Sequence, residues 1–123
     1  MTPFGRRVRE LRRERGVTMK EMAAALRVTP AYLSALEHGR RGKPSWRLVQ
    51  AIIGYFNVIW DEAEELERLA RISHPRVVID TAGLAPQAPE AANRLAAQIS
   101  DMSSAAIAKL LALLDGRRRR RGT

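Results

Sequence analysis

The sequence predicts a mainly all-α fold, with five helices in the first 74 residues and then a C-terminal extension of one short strand and two helices. Three observations lead there. Thr18 to Gly39 carries an apolar pattern specified at nearly every step, which reads as two short helices joined by a tight turn. Residue types that start and stop helices fall at the edges of each apolar stretch. The chain holds a single convincing β-branched run, Arg76-Val77-Val78-Ile79-Asp80.

Taken in order, the first helix is expected over Pro3 to Arg15, with Thr2 as its cap and Gly16 as its stop. Phe4, Val8 and Leu11 line its inner face, and Arg6, Arg7, Arg9, Arg12, Arg13 and Arg15 occupy the others. Thr18 caps the second helix, with Glu21 three positions on as a capping box requires. Met22, Ala23 and Leu26 form its apolar face, and Ala23 is small where a neighbouring helix would cross. Arg27-Val28-Thr29 makes the break, Thr29 caps again, and Pro30 suits the first position of a third helix whose stripe is Leu33 and Leu36. His38 to Pro44 is a flexible basic link, and Ser45 caps a fourth helix running to Phe56, with Leu48, Ile52 and Tyr55 or Phe56 inward. Asn57 breaks it. A fifth helix begins near Trp60 with Asp61, Glu62, Glu64 and Glu65 in its first turns, where negative charge complements the helix dipole, and Ser73-His74-Pro75 ends it.

Two readings of Arg76–Asp80 stand side by side. Its backbone pairs with the same strand of another subunit, or it lies extended against the fifth helix. After a connector from Gly83 to Pro89, helices are expected over Pro89–Ser100, with Leu95 and Ile99, and over Ser104–Asp115. The last carries Ile107, Leu110, Leu111 and Leu114 on one stripe, and Gly116 ends it. The organisation is thus a domain over 1–74, a helical extension over 75–116 and a basic tail over 117–123.

The formal net charge of +9 is unevenly spread. Residues 1–50 carry twelve Lys/Arg against four Asp/Glu, residues 51–75 two against five, and residues 76–123 eight against four, of which five are Arg117–Arg121. The surplus coincides with the paired short helices and with the tail, which favours a polyanion partner, nucleic acid first. With no cysteine, neither disulfides nor thiolate metal sites are available, in keeping with a reducing cytoplasm. No apolar run approaches the ~20 residues that span a bilayer, and the arginine-rich start does not resemble a secretory signal, so neither membrane nor export is expected. Enzymatic chemistry has no footing. His38 and His74 are the only histidines, the carboxylates gather on one helix, and there is no nucleophile triad, phosphate-cradling glycine loop or metal-ligand spacing. No cofactor is expected.

A steeply crossed helix pair whose second member presents small polar groups outward suits a DNA major groove. Residues 4 to about 57 resemble the helix-turn-helix domain of the Cro/C1-type (XRE-like) bacterial and phage transcription regulators. The matching residues are Phe4, Val8, Leu11, Arg12, Arg15, Gly16, Thr18, Met22, Ala23, Leu26, Val28, Tyr32, Leu33, Ser34, Leu36, Glu37, Gly39, Pro44 and Ser45. The resemblance implies a five-helix, lambda-repressor-like domain. Two positions depart from the family's habit. Met19 stands where Gln often helps to contact a phosphate, and Arg27 stands in the turn where Gly is common, at a cost if its φ is positive.

The resemblance implies that the helix over 30–37 reads DNA from its N-terminal part. Thr29, Pro30, Ala31, Tyr32, Ser34 and Ala35 are its outward or flanking positions. Thr29 and Ser34 carry hydrogen-bonding hydroxyls, and Pro30 and Ala31 suit thymine methyls. Tyr32 either packs on the sugar-phosphate backbone or is a half-buried packing residue. Between Thr29 and Glu37 there is no Arg, Lys, Asn or Gln, so specificity is expected to draw on His38, Arg40 or Arg41, or on DNA shape. Arg40, Arg41 and Lys43 are the leading phosphate contacts. Arg12 and Arg15 are further candidates, with a solvated helix face as their alternative, Lys20 and Arg27 follow on the second helix and its turn, and Glu37 is expected to pair with an arginine of the first helix.

The function expected is a sequence-specific, double-stranded-DNA-binding transcription regulator, a homodimeric repressor on a two-fold related operator. Dimerisation would use 77–79 and 104–115, the alternative being a last helix that folds back on the fifth. The competing readings are an antitoxin that binds a toxin and represses its own operon, and an activator whose acidic fifth helix touches RNA polymerase. Too few residues follow the domain for a self-cleaving peptidase. The Arg117–Arg121 run adds nonspecific DNA affinity, slides along the backbone, or has little consequence.

Overall fold

The computed structural model describes residues 1–122, with side chains described as far as Gly116; the arginines expected to act as a basic tail therefore lie outside the described side chains. Seven α-helices occupy the described residues: α1 (Pro3–Arg15), α2 (Met19–Leu26), α3 (Pro30–Glu37), α4 (Trp46–Phe56), α5 (Asp61–Arg71), α6 (Gln87–Gln98) and α7 (Ser104–Gly122), with a short 3-10 turn at Ile99–Asp101 between the last two. The chain divides into two compact units, Met1–Val77 and the part from Val78 onward.

In the first unit the expected caps form. The Thr2 hydroxyl accepts from the Gly5 amide, and Gly16 adopts φ 62°, ψ 33° after α1. Thr18 and Glu21 make a reciprocal capping box, Thr29 accepts from the Tyr32 amide ahead of Pro30, and Ser45 accepts from the Leu48 amide. Each such cap is worth ~1 kcal/mol because it satisfies a backbone N–H that the helix cannot. Arg27 and Asn57 close α2 and α4 in the left-handed region, at φ 59° and 53°.

Phe4, Val8 and Leu11 of α1 meet Met22 and Ala23 of α2, Leu33 of α3, Val49, Ile52 and Phe56 of α4, Val58, and Leu66 and Ala70 of α5 in one core. Each large side chain so enclosed contributes ~1.5–3 kcal/mol of transfer free energy. On α4 the buried stripe is Val49, Ile52 and Phe56, whereas Leu48 and Tyr55 are half-buried. The inward face is therefore rotated by one residue at its start from the expected one. Trp60 precedes α5 at φ 54°, ψ −124°, a backbone state costing ~1–3 kcal/mol in a non-glycine residue, with its indole 81% exposed.

Three expectations beyond Pro75 are corrected. Arg76–Asp80 forms no strand and is irregular and exposed, because within one chain no second strand offers its N–H and C=O groups. The sixth helix starts two residues earlier and ends two earlier than expected, since Pro89 sits in a first turn that needs no amide from it. The last helix does not stop at Gly116 but continues to Gly122: one glycine costs ~1 kcal/mol, and arginine is a good helix former. In the second unit no residue as far as Gly116 is fully buried.

Candidate nucleic-acid interface

The third helix presents two different surfaces. Leu33 and Leu36 are buried, Leu33 in one core with Met22 and Ala23, and the small Ala23 lets α2 and α3 come close. Thr29, Pro30, Ala31 and His38 are exposed, and Tyr32, Ser34 and Ala35 are half-exposed. The His38 imidazole lies with Nδ1 2.9 Å from the Ser34 carbonyl oxygen, which pins the ring against the last turn of α3. All seven residues expected to read bases are thus at least partly accessible along one short helix and its cap.

Behind that surface α1 holds the helix in place. Glu37 is only 2% exposed, and Arg12 Nη2 donates to its two carboxylate oxygens at 2.8 and 3.0 Å. Burial raises the Glu37 carboxyl above its ordinary value of 4.5, and the Arg12 guanidinium, followed by His38 and Arg9, pulls it back down. The Glu37 carbonyl oxygen accepts from the Thr2 amide at 3.0 Å. Such an approach requires Gly5, where a Cβ would stand 2.1 Å from that same oxygen. The start of α1 is also clasped by the segment just after α5, because the buried Ser73 hydroxyl accepts from the Phe4 amide at 2.9 Å.

The cations expected at phosphates divide into two groups. Arg40, Arg41 and Lys43 are exposed in the link after α3, where Gly39 and Gly42 turn the backbone at φ 75° and 80°, and Lys20 is exposed on α2. Arg12, half-buried, and Arg15, exposed, each make a contact within the unit. Arg12 is held by Glu37 with its side chain only 12% exposed, and Arg15 Nη1 donates to the Phe56 carbonyl oxygen. Arg12 thus has an anion within the unit already, and Arg15 is tied to the end of α4.

One cation escaped the sequence reading. Arg47 is exposed in the first turn of α4, and together with Thr29, Tyr32, Arg41 and Ser45 it rims a cleft of about 550 Å³ floored by Leu26, Val28 and Leu48. Its place two residues after the Ser45 cap was the available signal. Arg41 itself lies over the Tyr32 ring, with its guanidinium carbon 5.6 Å from the ring centroid. Among the described residues, no group of three or more His, Asp or Glu is placed to hold a metal ion. No described helix is long and apolar enough to cross a membrane.

A capped short helix set on a second helix, exposed on one side and flanked by cations, is a helix-turn-helix arrangement. Residues 3–66, more than half of the 123, match the family model described as a helix-turn-helix domain, and the chain belongs to that family. It is 33% identical over 61 residues to the uncharacterized HTH-type transcriptional regulator RghRB of Bacillus subtilis (strain 168), a match covering 50% of this chain and 44% of that protein. It is 40% identical over 52 residues to the HTH-type transcriptional regulator DdrOP3 of Deinococcus deserti (strain DSM 17065), covering 42% and 40% respectively. The chain thus spans less than half the length of these relatives. A solved SinR protein/SinI protein complex includes a chain that aligns with 94% of this one and 98% of its own length, at 20% identity and a TM-score of 0.44.

Proposed function

We propose that this chain is a sequence-specific, double-stranded-DNA-binding transcription regulator, and that it acts as a homodimeric repressor on a two-fold related operator in the cytoplasm. One observation carries the reading: α3 is buried along Leu33, Leu36 and Glu37 and open along Thr29 to Ala31, Ser34 and Ala35, with Arg40, Lys43 and Lys20 exposed beside it. A helix so held can lay its N-terminal turn in a major groove while the cations neutralise flanking phosphates. Thr29 and Ser34 supply hydroxyls to base edges, and Pro30, Ala31 and Ala35 supply apolar contact to thymine methyls. Repression follows from occupancy of the operator and needs no catalytic group.

The dimer is supported by the chain's apolar surplus. Val77, Val78, Ile79, Leu111, Leu113 and Leu114 are all exposed in a chain whose second unit buries no described residue, so a second copy is the partner that would remove these side chains from water.

A salt titration of binding to duplex DNA tests the reading. Arg40→Ala and Lys43→Ala should each weaken binding to every sequence alike and flatten the log–log salt dependence by about 0.9. A chain that binds no duplex at low salt, or variants with the slope of the parent, would refute it.

A further inference from the structure

The helix set to enter the groove lacks every side chain that makes bidentate contact with a purine: from Thr29 to Glu37 there is no Arg, Lys, Asn or Gln. A reader of that kind has to come from outside the helix. Arg40, Arg41 and Lys43 all lie in the following link, and of these three Arg41 is the one with a described contact to α3, its guanidinium over the Tyr32 ring. Tyr32 belongs to the first turn of α3, and its amide is bound by the Thr29 hydroxyl that caps the helix. The charge is thereby carried from the link, which follows the C-terminal end of α3, back to the N-terminal turn that meets base edges.

We infer that Arg41, oriented by Tyr32, is the guanine reader of this protein, donating from two guanidinium nitrogens to O6 and N7 of one guanine in each half-site. The inference rests on the DNA-binding role proposed above and, of the two roles expected for Arg41, chooses base readout over phosphate contact. The cation–π contact with Tyr32 is what makes the assignment physical. A free arginine side chain loses most of its rotamer entropy on making a two-point contact, whereas one already lying on an aromatic face loses less. Tyr32 acts as a positioning residue, and through its ring, since the cation–π contact does not use the phenol hydroxyl.

The test is selection of duplexes from a pool randomised over about 20 base pairs by the full chain, followed by titration of the selected duplex and of a version with each conserved G·C pair changed to A·T. The parent chain should enrich a G·C pair at one position of each half-site and lose roughly 5- to 150-fold for each half-site changed to A·T, the range of one bidentate contact. Arg41→Ala should abolish that discrimination while changing affinity for the A·T version little. Arg41→Lys, which keeps the charge without the fork, should discriminate less than the parent. Tyr32→Phe should retain the preference and Tyr32→Leu should weaken it at the same base pair, with the salt slope unchanged. Thermal melting of each variant verifies that the domain is folded.

Arg41→Ala weakening every duplex equally, with the salt slope falling by nearly one unit, would make Arg41 a phosphate contact and overturn the inference. Full discrimination by Tyr32→Leu would overturn the positioning role. A parent chain that enriches G·C pairs indifferent to Arg41 would sink this inference and leave the proposed function standing, whereas a parent chain that binds no duplex would sink both.

Discussion

Replacing Arg12 by Met should destabilise the first unit heavily at neutral pH and much less in acid. The variant keeps most of the aliphatic stem but removes the cation whose Nη2 lies 2.8 and 3.0 Å from the Glu37 carboxylate oxygens. Glu37 is 2% exposed, so its carboxylate would be left in the interior without its arginine. Breaking a buried pair in this way costs about 3–5 kcal/mol. For a unit of this size each kcal/mol lowers the melting temperature by about 4–8 °C, so a drop of at least about 12 °C is expected at pH 7. The pH dependence follows from the direction of the Glu37 shift. Burial holds the folded carboxyl above its ordinary 4.5, so the folded state binds that proton more tightly than the unfolded chain does. The stability this group contributes is full below about pH 4.5 and is lost as pH rises through the raised folded value. Arg12 is the strongest influence opposing the rise, so without it the folded value climbs further and the loss extends over more of the neutral range.

The assay is urea denaturation of the parent, Arg12→Met, Glu37→Met and the double variant, followed by circular dichroism at pH 7 and near pH 4. Because desolvation outweighs the attraction of Arg12 for Glu37, the double variant should be nearly as stable as the parent at pH 7. Equal losses for Arg12→Met at both pH values, a cost below about 1 kcal/mol at neutrality, or a double variant as unstable as the sum of the singles would each refute the argument.

Other outcomes follow from the same geometry. Gly5→Ala should cost about 1–3 kcal/mol by chemical denaturation, because the new Cβ would meet the Glu37 carbonyl oxygen at 2.1 Å and force α1 away from the end of α3. Arg27→Gly should raise the melting temperature by a few degrees, since at φ 59° a side chain costs about 1–2 kcal/mol that glycine does not; a fall would show the Arg27 stem to be packed usefully. Leu111→Glu with Leu114→Glu should shift sedimentation from dimer to monomer at micromolar concentration, and a parent chain already monomeric there would remove the dimer from the proposed function.

The helix starts were legible in the residues because a cap is a local event. Thr2 reaches Gly5, Thr18 reaches Glu21, Thr29 reaches Tyr32 and Ser45 reaches Leu48, each three positions along the chain. The apolar stripes of α1, α2 and α3 were legible for a similar reason, since the helical repeat alone decides which residues share a face. A lone β-branched run misled, because strand formation depends on a partner that no local pattern supplies. Gly116 misled in the other direction, as a single glycine is a weak stop among good helix formers.

What the sequence determined by itself is therefore the set of helices in the first unit and the faces that α1, α2 and α3 bury. Only the tertiary structure decided which arginine of α1 takes Glu37, why Gly5 has to be glycine, that Ser73 completes the start of α1, and that Arg41 returns to Tyr32. Those contacts join residues 9 to 69 positions apart. Their partners are chosen by how helices cross and by which cation is left without water, and neither quantity exists until the core has closed.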